Sequence, residues 1–353
     1  MSNVASLVLM LMTFLIQLCC PAAVGPAGEQ EFCDSDPAYA IYQNYRYAYD
    51  TYGYLFLYEE SGAEETDVMK NGVLETAGSD LNVSGDGADA AEVFAGTVEY
   101  PSLAKLQDYD YLMKHFYSVH ASTTASRELM QANMLLGTDL RLEKDSSVPQ
   151  ILIYHTHSQE TYADYGPSNR DANVVTVGRY LTQLLKAKGW NVIHDESAYD
   201  IQGGKLDRSK AYNYALDGIS GILQKYPTIQ VVLDLHRDGV KETLHLVSEV
   251  NGKPTANIMF FQGMSQTPEG PIEYLPNPYL KENLAFSFQM QYLAAGNYPG
   301  LTRKIYLKGL RYNLHLRPRS ALIEMGAQTN TLQEVLNAME PLAELLDMVL
   351  QGN

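Results

Sequence analysis

From Val148 onward the apolar positions alternate between two rhythms. Short apolar runs, Ile151-Leu152-Ile153-Tyr154, Asn191-Val192-Ile193, Ile229–Leu233, Ala256–Phe261 and Ser320–Ile323, have the length and branching of buried strands. Between them apolar residues return every third or fourth position. Val174, Val177, Leu181, Leu184 and Leu185 predict an amphipathic helix closed by Gly189. Further helices are predicted over Ser209–Lys225, Pro278–Ala295 and Leu332–Leu350. Strands separated by helices of this length predict an α/β fold, a mostly parallel sheet with helices on both faces. Ligands of such sheets gather beyond the carboxyl ends of the strands.

The chain before Val148 follows neither rhythm. Val4–Cys20 is uncharged and mostly apolar, and Pro21-Ala22-Ala23-Val24-Gly25 follows it. Its length falls between a signal-peptide core and a short spanning helix, so residues 1–28 are expected to be an export signal or a membrane anchor. Tyr39–Tyr58 carries eight tyrosines, which suits a short helical or interfacial segment. Glu59–Glu92 then holds ten carboxylates against one lysine, among Gly, Ser and Ala. Such a stretch buries too little apolar surface to offset the entropy of folding, so residues 29–100 are expected to end in a disordered linker. Leu106, Tyr109, Leu112, Phe116, Leu129, Leu135 and Leu136 mark a pre-domain of short elements over 101–147, ahead of a main domain over 148–353.

Charge and cysteine content narrow the function. The net charge of −17 excludes a partner held through its phosphate backbone, which needs clustered Lys and Arg, so no nucleic acid is expected. Cys19, Cys20 and Cys33 are the only thiols and all precede the main domain, so a cysteine metal site is out of reach. No Gly-rich phosphate loop follows a predicted strand, and no Gly-x-Ser-x-Gly elbow occurs.

Chemistry gathers instead at three predicted strand ends. The first carries His155, His157 and Glu160, the second His236, the third Glu324. If the three strands are parallel neighbours, these side chains converge on one edge of the sheet. Two imidazoles and a carboxylate make a zinc site with an open position, and a second carboxylate is left over as a base. His157 is preferred over His155, but alternation along an extended chain puts both on one side, so His155 is an alternate ligand or a support for one. Arg303–Arg319 holds six basic residues and no acidic one, and Arg311 and Arg317 are candidate anchors for a carboxylate of the substrate, as against a solvated basic face. Arg237 adjoins His236 and is a substrate-binding candidate, or else a structural partner of Asp238 or Asp234.

Tyr154-His155-Thr156-His157-Ser158-Gln159-Glu160, Asp234-Leu235-His236-Arg237-Asp238 and Ile323-Glu324-Met325-Gly326, with Asn173–Gly178 and the upstream Asp110-Tyr111-Leu112, resemble the bacterial stage II sporulation protein P family over roughly 103–350. That family looks like a branch of the zinc-dependent N-acetylmuramoyl-L-alanine amidases, whose fold is similar to that of the zinc carboxypeptidases. The resemblance implies Zn2+ held by His157, Glu160 and His236, with Asp171 as a rival to Glu160, and Glu324 as the catalytic carboxylate, followed by Gly326 and Asn330. It further implies hydrolysis of septal peptidoglycan outside the cytoplasm during engulfment, with stem-peptide cleavage as a second activity and the stage II proteins D and M as partners. A carboxypeptidase-like peptidase and a non-catalytic wall-binding module are the competing expectations.

Overall fold

The computed structural model describes residues 100–352. The predicted apolar N-terminal segment, the tyrosine-rich stretch and the acidic linker lie outside these residues. Among the described helices none is long and apolar enough to cross a membrane.

Seven strands form one sheet: β1 (Tyr117–Val119), β2 (Ile151–Tyr154), β3 (Val192–His194), β4 (Val231–Asp238), β5 (Ile258–Gly263), β6 (Ile305–Lys308) and β7 (Ser320–Ala327), in the order β1-β6-β5-β7-β4-β2-β3. Every neighbouring pair is parallel except β5 and β7. The sheet is therefore mostly parallel, but its two halves run in opposite directions. The strands β7, β4 and β2 are consecutive parallel neighbours, which brings their carboxyl ends to one edge.

Seven helices surround it: α1 (Leu103–Leu106), α2 (Tyr109–Phe116), α3 (Ala132–Gly137), α4 (Val174–Ala187), α5 (Ala211–Lys225), α6 (Leu280–Asn297) and α7 (Leu332–Gln351). Strand alternation sorts the core into two faces. Ile151, Ile153, Val231, Leu233, Leu235, Ile323 and Met325 pack with α4, α6 and α7. Leu152, Tyr154 and Val232 pack with Ala215, Leu216, Ile219 and Leu223 of α5. Over the rest of that second face, Tyr312 and Leu314 from the β6–β7 connection pack on Met259, Phe261 and Leu322, with Tyr212 at the start of α5 beside them. Helices thus lie on both faces, α5 on one and the others on the opposite side. The stretch 101–147 is a series of short elements that shares the main core. Leu106, Leu112, Phe116 and Leu135 are buried in it, and β1 forms the edge of the sheet.

Local capping fixes the helix that flanks the site. Asn173 accepts a hydrogen bond from the Thr176 N–H at 3.0 Å and starts α4, worth about 1 kcal/mol. Gly189, at φ +91°, takes the left-handed turn that ends it.

Candidate metal centre

Period-2 alternation fixes which side chains of β4 and β7 meet. Val232, Asp234 and His236 share one face of β4, and His236 is in register with Glu324 of β7. Both strands run on beyond the short apolar runs that announce them, so His236 and Glu324 sit inside the ladder. Strand β2, by contrast, stops at Tyr154, and the chain turns so that His157 and Glu160 point back to the same place.

His157, Glu160 and His236 each offer a donor atom within 4.8 Å of the others, and all three are buried. His157 Nδ1 lies 3.5 Å from Glu160 Oε1, and His236 Nδ1 lies 3.7 Å from Glu160 Oε2. Ligands 2.0–2.1 Å from a tetrahedral zinc are about 3.3 Å apart, so the spacing suits that ion. Three attachments hold the donors. The Arg237 backbone N–H donates to Glu160 Oε2 at 2.9 Å, and the Val174 N–H at the start of α4 donates to the Glu160 carbonyl at 3.1 Å. His236 Nε2 lies 2.9 Å from Asp234 Oδ1, an ion-pair contact out of line for a hydrogen bond. Asp234 is itself fixed by the N–H and hydroxyl of Thr156, at 2.9 and 2.6 Å.

The charges are matched to a cation. Burial alone would lower the His236 pKa, but the carboxylates of Asp234, Glu160 and Glu324 outweigh it and lift it to about 10. Burial opposes ionisation of Glu160 as well, yet the hydrogen bond from His157 and the charge of His236 hold it down at about 2. A proton on His236 therefore balances the site, and a metal ion bound there must displace that proton. His157 Nε2 and Glu324 Oε2 are buried with no hydrogen-bond partner, which is costly unless another group satisfies them. Glu324 stands apart from the three grouped donors. Burial, with the charge of Asp238 adding and that of His236 opposing, raises it to about 8. A group poised near neutrality is suited to taking up and returning a proton.

A small, partly open pocket lies against these groups, with Tyr212, Phe261, Tyr312 and Leu322 as its apolar lining. Tyr212, at the start of α5, stacks on His236 with ring planes 12° apart and meets His157 edge-on. Tyr312 and Asn313 both have positive φ, 49° and 58°, an uncommon backbone for non-glycine residues, and Asn313 Nδ2 donates to the Tyr212 carbonyl at 2.8 Å.

The family model of stage II sporulation protein P (SpoIIP) matches residues 67–347. The chain belongs to the stage II sporulation protein P family. Stage II sporulation protein P of Bacillus subtilis (strain 168) is 25% identical over 210 residues, 55% of this chain and 49% of that protein, so the match spans about half the length of that relative. Among solved structures, the CwlD amidase from Clostridioides difficile in complex with the GerS lipoprotein is 15% identical, covering 57% of this chain and 97% of that one with a TM-score of 0.34. The catalytic domain of CwlV, an N-acetylmuramoyl-L-alanine amidase from Bacillus (Paenibacillus) polymyxa var. colistinus, is 10% identical, covering 58% and 97% with a TM-score of 0.32. Overlap at this level says nothing of shared chemistry.

In this SpoIIP family member the other candidate residues fall elsewhere. His155 is on the α4 face of the sheet, because the strand ends at Tyr154 and alternation with His157 ends with it. Its Nδ1 is 2.9 Å from the Leu235 carbonyl and its Nε2 2.8 Å from His194 Nε2, and burial, aided by His194, lowers its pKa to about 4. Asp171 is exposed and is not among the grouped donors. Arg237 lines the cavity, but its guanidinium donates to the carbonyls of Thr161 and Asp238. The carboxylates of Asp238 and Asp234 are engaged elsewhere, Asp238 with Arg303 at 2.6 Å and Asp234 with His236 and Thr156. Arg311 and Arg317 form neither a substrate anchor at the cavity nor a solvated face. Both are buried; Arg311 donates to the Pro276 carbonyl, and Arg317 to those of Leu316 and Ile229, the latter just ahead of the amino end of β4. Asp234, Thr156 and Tyr212 are the site residues the sequence reading passed over. Asp234 carried a signal, since it lies two positions before His236 on one face of a strand.

Proposed function

We propose that this protein hydrolyses amide bonds of peptidoglycan, cleaving the N-acetylmuramoyl-L-alanine linkage at a zinc ion held by His157, Glu160 and His236. The convergence of those three buried donors beside a fourth carboxylate outside the set, Glu324, is the observation that carries the reading. When bound, zinc supplies Lewis acidity, polarising a carbonyl and lowering the pKa of a water in its open position toward ~7.

The chain's own residues do the rest. Glu324 Oε2 accepts the proton of the attacking water and delivers it to the leaving amine, whose departure needs that protonation. In the metal-free protein its carboxyl holds a proton to about pH 8, and a bound dication favours the carboxylate form needed for the first transfer. Asp234 holds the ring of His236 from behind, and Tyr212 stacks on it and limits water around it. The apolar lining of Tyr212, Phe261, Tyr312 and Leu322 suits a substrate with an apolar surface beside the scissile amide.

Membership of the family supports septal peptidoglycan in sporulation as the setting. With it we assign export or tethering through residues 1–28, an extracytoplasmic location, and the stage II proteins D and M as partners. Stem-peptide endopeptidase cleavage is a second activity of the same centre. The test is metal analysis paired with digestion of purified peptidoglycan and mass spectrometry of the products. One zinc per chain and stem peptides released with a free L-alanine amine are expected. Products cut only within the stem peptide would replace the amidase with a peptidase, and digestion unaffected by a chelator would remove the metal.

A further inference from the structure

On the other side of β4 from the donors lies a second pair of histidines, His155 buried and His194 half-buried, which no step above uses. His155 Nδ1 is 2.9 Å from the carbonyl of Leu235, the residue before His236, and His155 itself lies two residues before His157. A carbonyl oxygen only accepts, so His155 carries its proton on Nδ1. Its Nε2 faces His194 Nε2 at 2.8 Å, and two N–H groups cannot face each other at that distance. In neutral rings His194 Nε2 therefore donates and His155 Nε2 accepts. Nearer the surface Glu196 lies 3.4 Å from His194 Nδ1, which has no proton to give it while the ring is neutral, and Glu196 is held instead by the Arg179 guanidinium through two bonds of 2.8 and 2.6 Å.

The packing around the pair is specific. Gly178 of α4 sits directly on it, and a Cβ there would come within 2.7 Å of both Nε2 atoms. The pair also acts where the backbone ladder ends. Strands β2 and β4 are paired up to Tyr154 and Asp234. Beyond that point, the His155 side chain reaches the β4 backbone while the Asp234 side chain reaches the Thr156 N–H. These two reciprocal bonds fasten residues 155–156 to 234–235, immediately ahead of His157 on one segment and His236 on the other.

We propose that the His155–His194 pair is a positioning device for the metal centre, setting the separation of His157 and His236 through the backbone without touching the ion or substrate. This rests on the metal reading of the His157, Glu160 and His236 group. The hydrogen bond from His194 keeps the His155 ring in the tautomer and tilt that hold Leu235. Loss of a partner that orients a ligand typically costs about 10- to 100-fold in metal affinity.

The test compares the full chain with its His194→Leu and His194→Gln variants, by Co2+ titration and the visible ligand-field spectrum of the Co2+ protein. Leucine removes the donor while filling space, whereas the glutamine amide replaces it. Weaker Co2+ binding by about 10- to 100-fold and a shifted spectrum are expected for His194→Leu, with both restored in His194→Gln. Unchanged affinity and spectrum in His194→Leu, or equal impairment in both variants, would overturn the proposal. Should His194→Leu not fold, nitrogen NMR of the zinc-loaded wild type decides. A His155 proton on Nδ1 is expected, and one on Nε2 alone would refute the arrangement. If the wild type binds no Co2+ or zinc, the metal reading itself has failed; if it binds both and only the variants behave alike, the positioning role alone has failed.

Discussion

Two pairs of histidines flank β4, and their rings are arranged almost identically. His157 and His236 have centroids 5.0 Å apart with planes at 84°, and His155 and His194 have centroids 5.1 Å apart at 76°. Ring geometry therefore does not separate them; what surrounds them does. The first pair sits among Glu160, Asp234 and Glu324, which lift His236 to about 10. The second faces one backbone carbonyl and each other, with a single, exposed carboxylate, Glu196, at its edge, and burial drives His155 down to about 4. Where carboxylates converge on imidazoles, a cation is wanted; where the imidazoles satisfy one another, neutral rings suffice.

The contrast is broken most severely by His236→Ala, which removes one of the three donors and the positive charge set between Asp234 and Glu160. Metal content should vanish and turnover fall by at least about 10³-fold, with a folded protein by circular dichroism. Glu324→Gln should leave zinc bound and lower turnover by about 10²- to 10⁴-fold, because the group it removes moves the proton and is not among the three donors. Full activity in this variant would take Glu324 out of the mechanism.

A third experiment sharpens the electrostatic half of the comparison. In the metal-free protein Glu324 keeps its proton to about pH 8, whereas the unfolded chain releases it near 4.5. Over that window the folded state binds more protons than the unfolded one, so raising the pH weakens folding. Glu324→Gln should therefore gain stability relative to the wild type as pH rises above 4.5, the difference levelling off above pH 8, in urea titrations with a chelator present. A pH-independent difference would contradict the burial of this carboxyl.

Smaller effects belong to the reverse side. Gly178→Ala forces a methyl group against the second pair and should cost about 1–3 kcal/mol in unfolding free energy. Asn173→Ala removes the cap of α4, whose first N–H holds the Glu160 carbonyl, and should cost about 1 kcal/mol. A loss above that of Gly178→Ala would mean that Asn173 does more than cap.

Much of this was legible from the chain because it depends on short-range pattern. Apolar runs announce β2, β4 and β7, and period 2 puts Asp234 and His236 on one face of β4, whereas Glu324 joins them through the register of β7 on β4. The reversal between β5 and β7 was not legible, since direction is set by how the chain crosses the sheet. Strand β6 was hidden because Ile305–Lys308 is four residues long within a stretch that reads as basic. His155 stays on the face of Ile151 and Ile153, and it is His157 that departs from the alternation, because the strand ends at Tyr154 and the chain turns. Arg311 and Arg317 looked like surface charge because nothing in their spacing reveals that backbone carbonyls receive them in the interior.

Anomalous diffraction at the zinc edge from crystals of the zinc-loaded protein tests the central claim most directly. One peak is expected, about 2.0–2.2 Å from single atoms of His157, Glu160 and His236 and out of bonding reach of Glu324 and of the His155–His194 pair. A peak bonded to His155 or His194, or none beside His157, would contradict it.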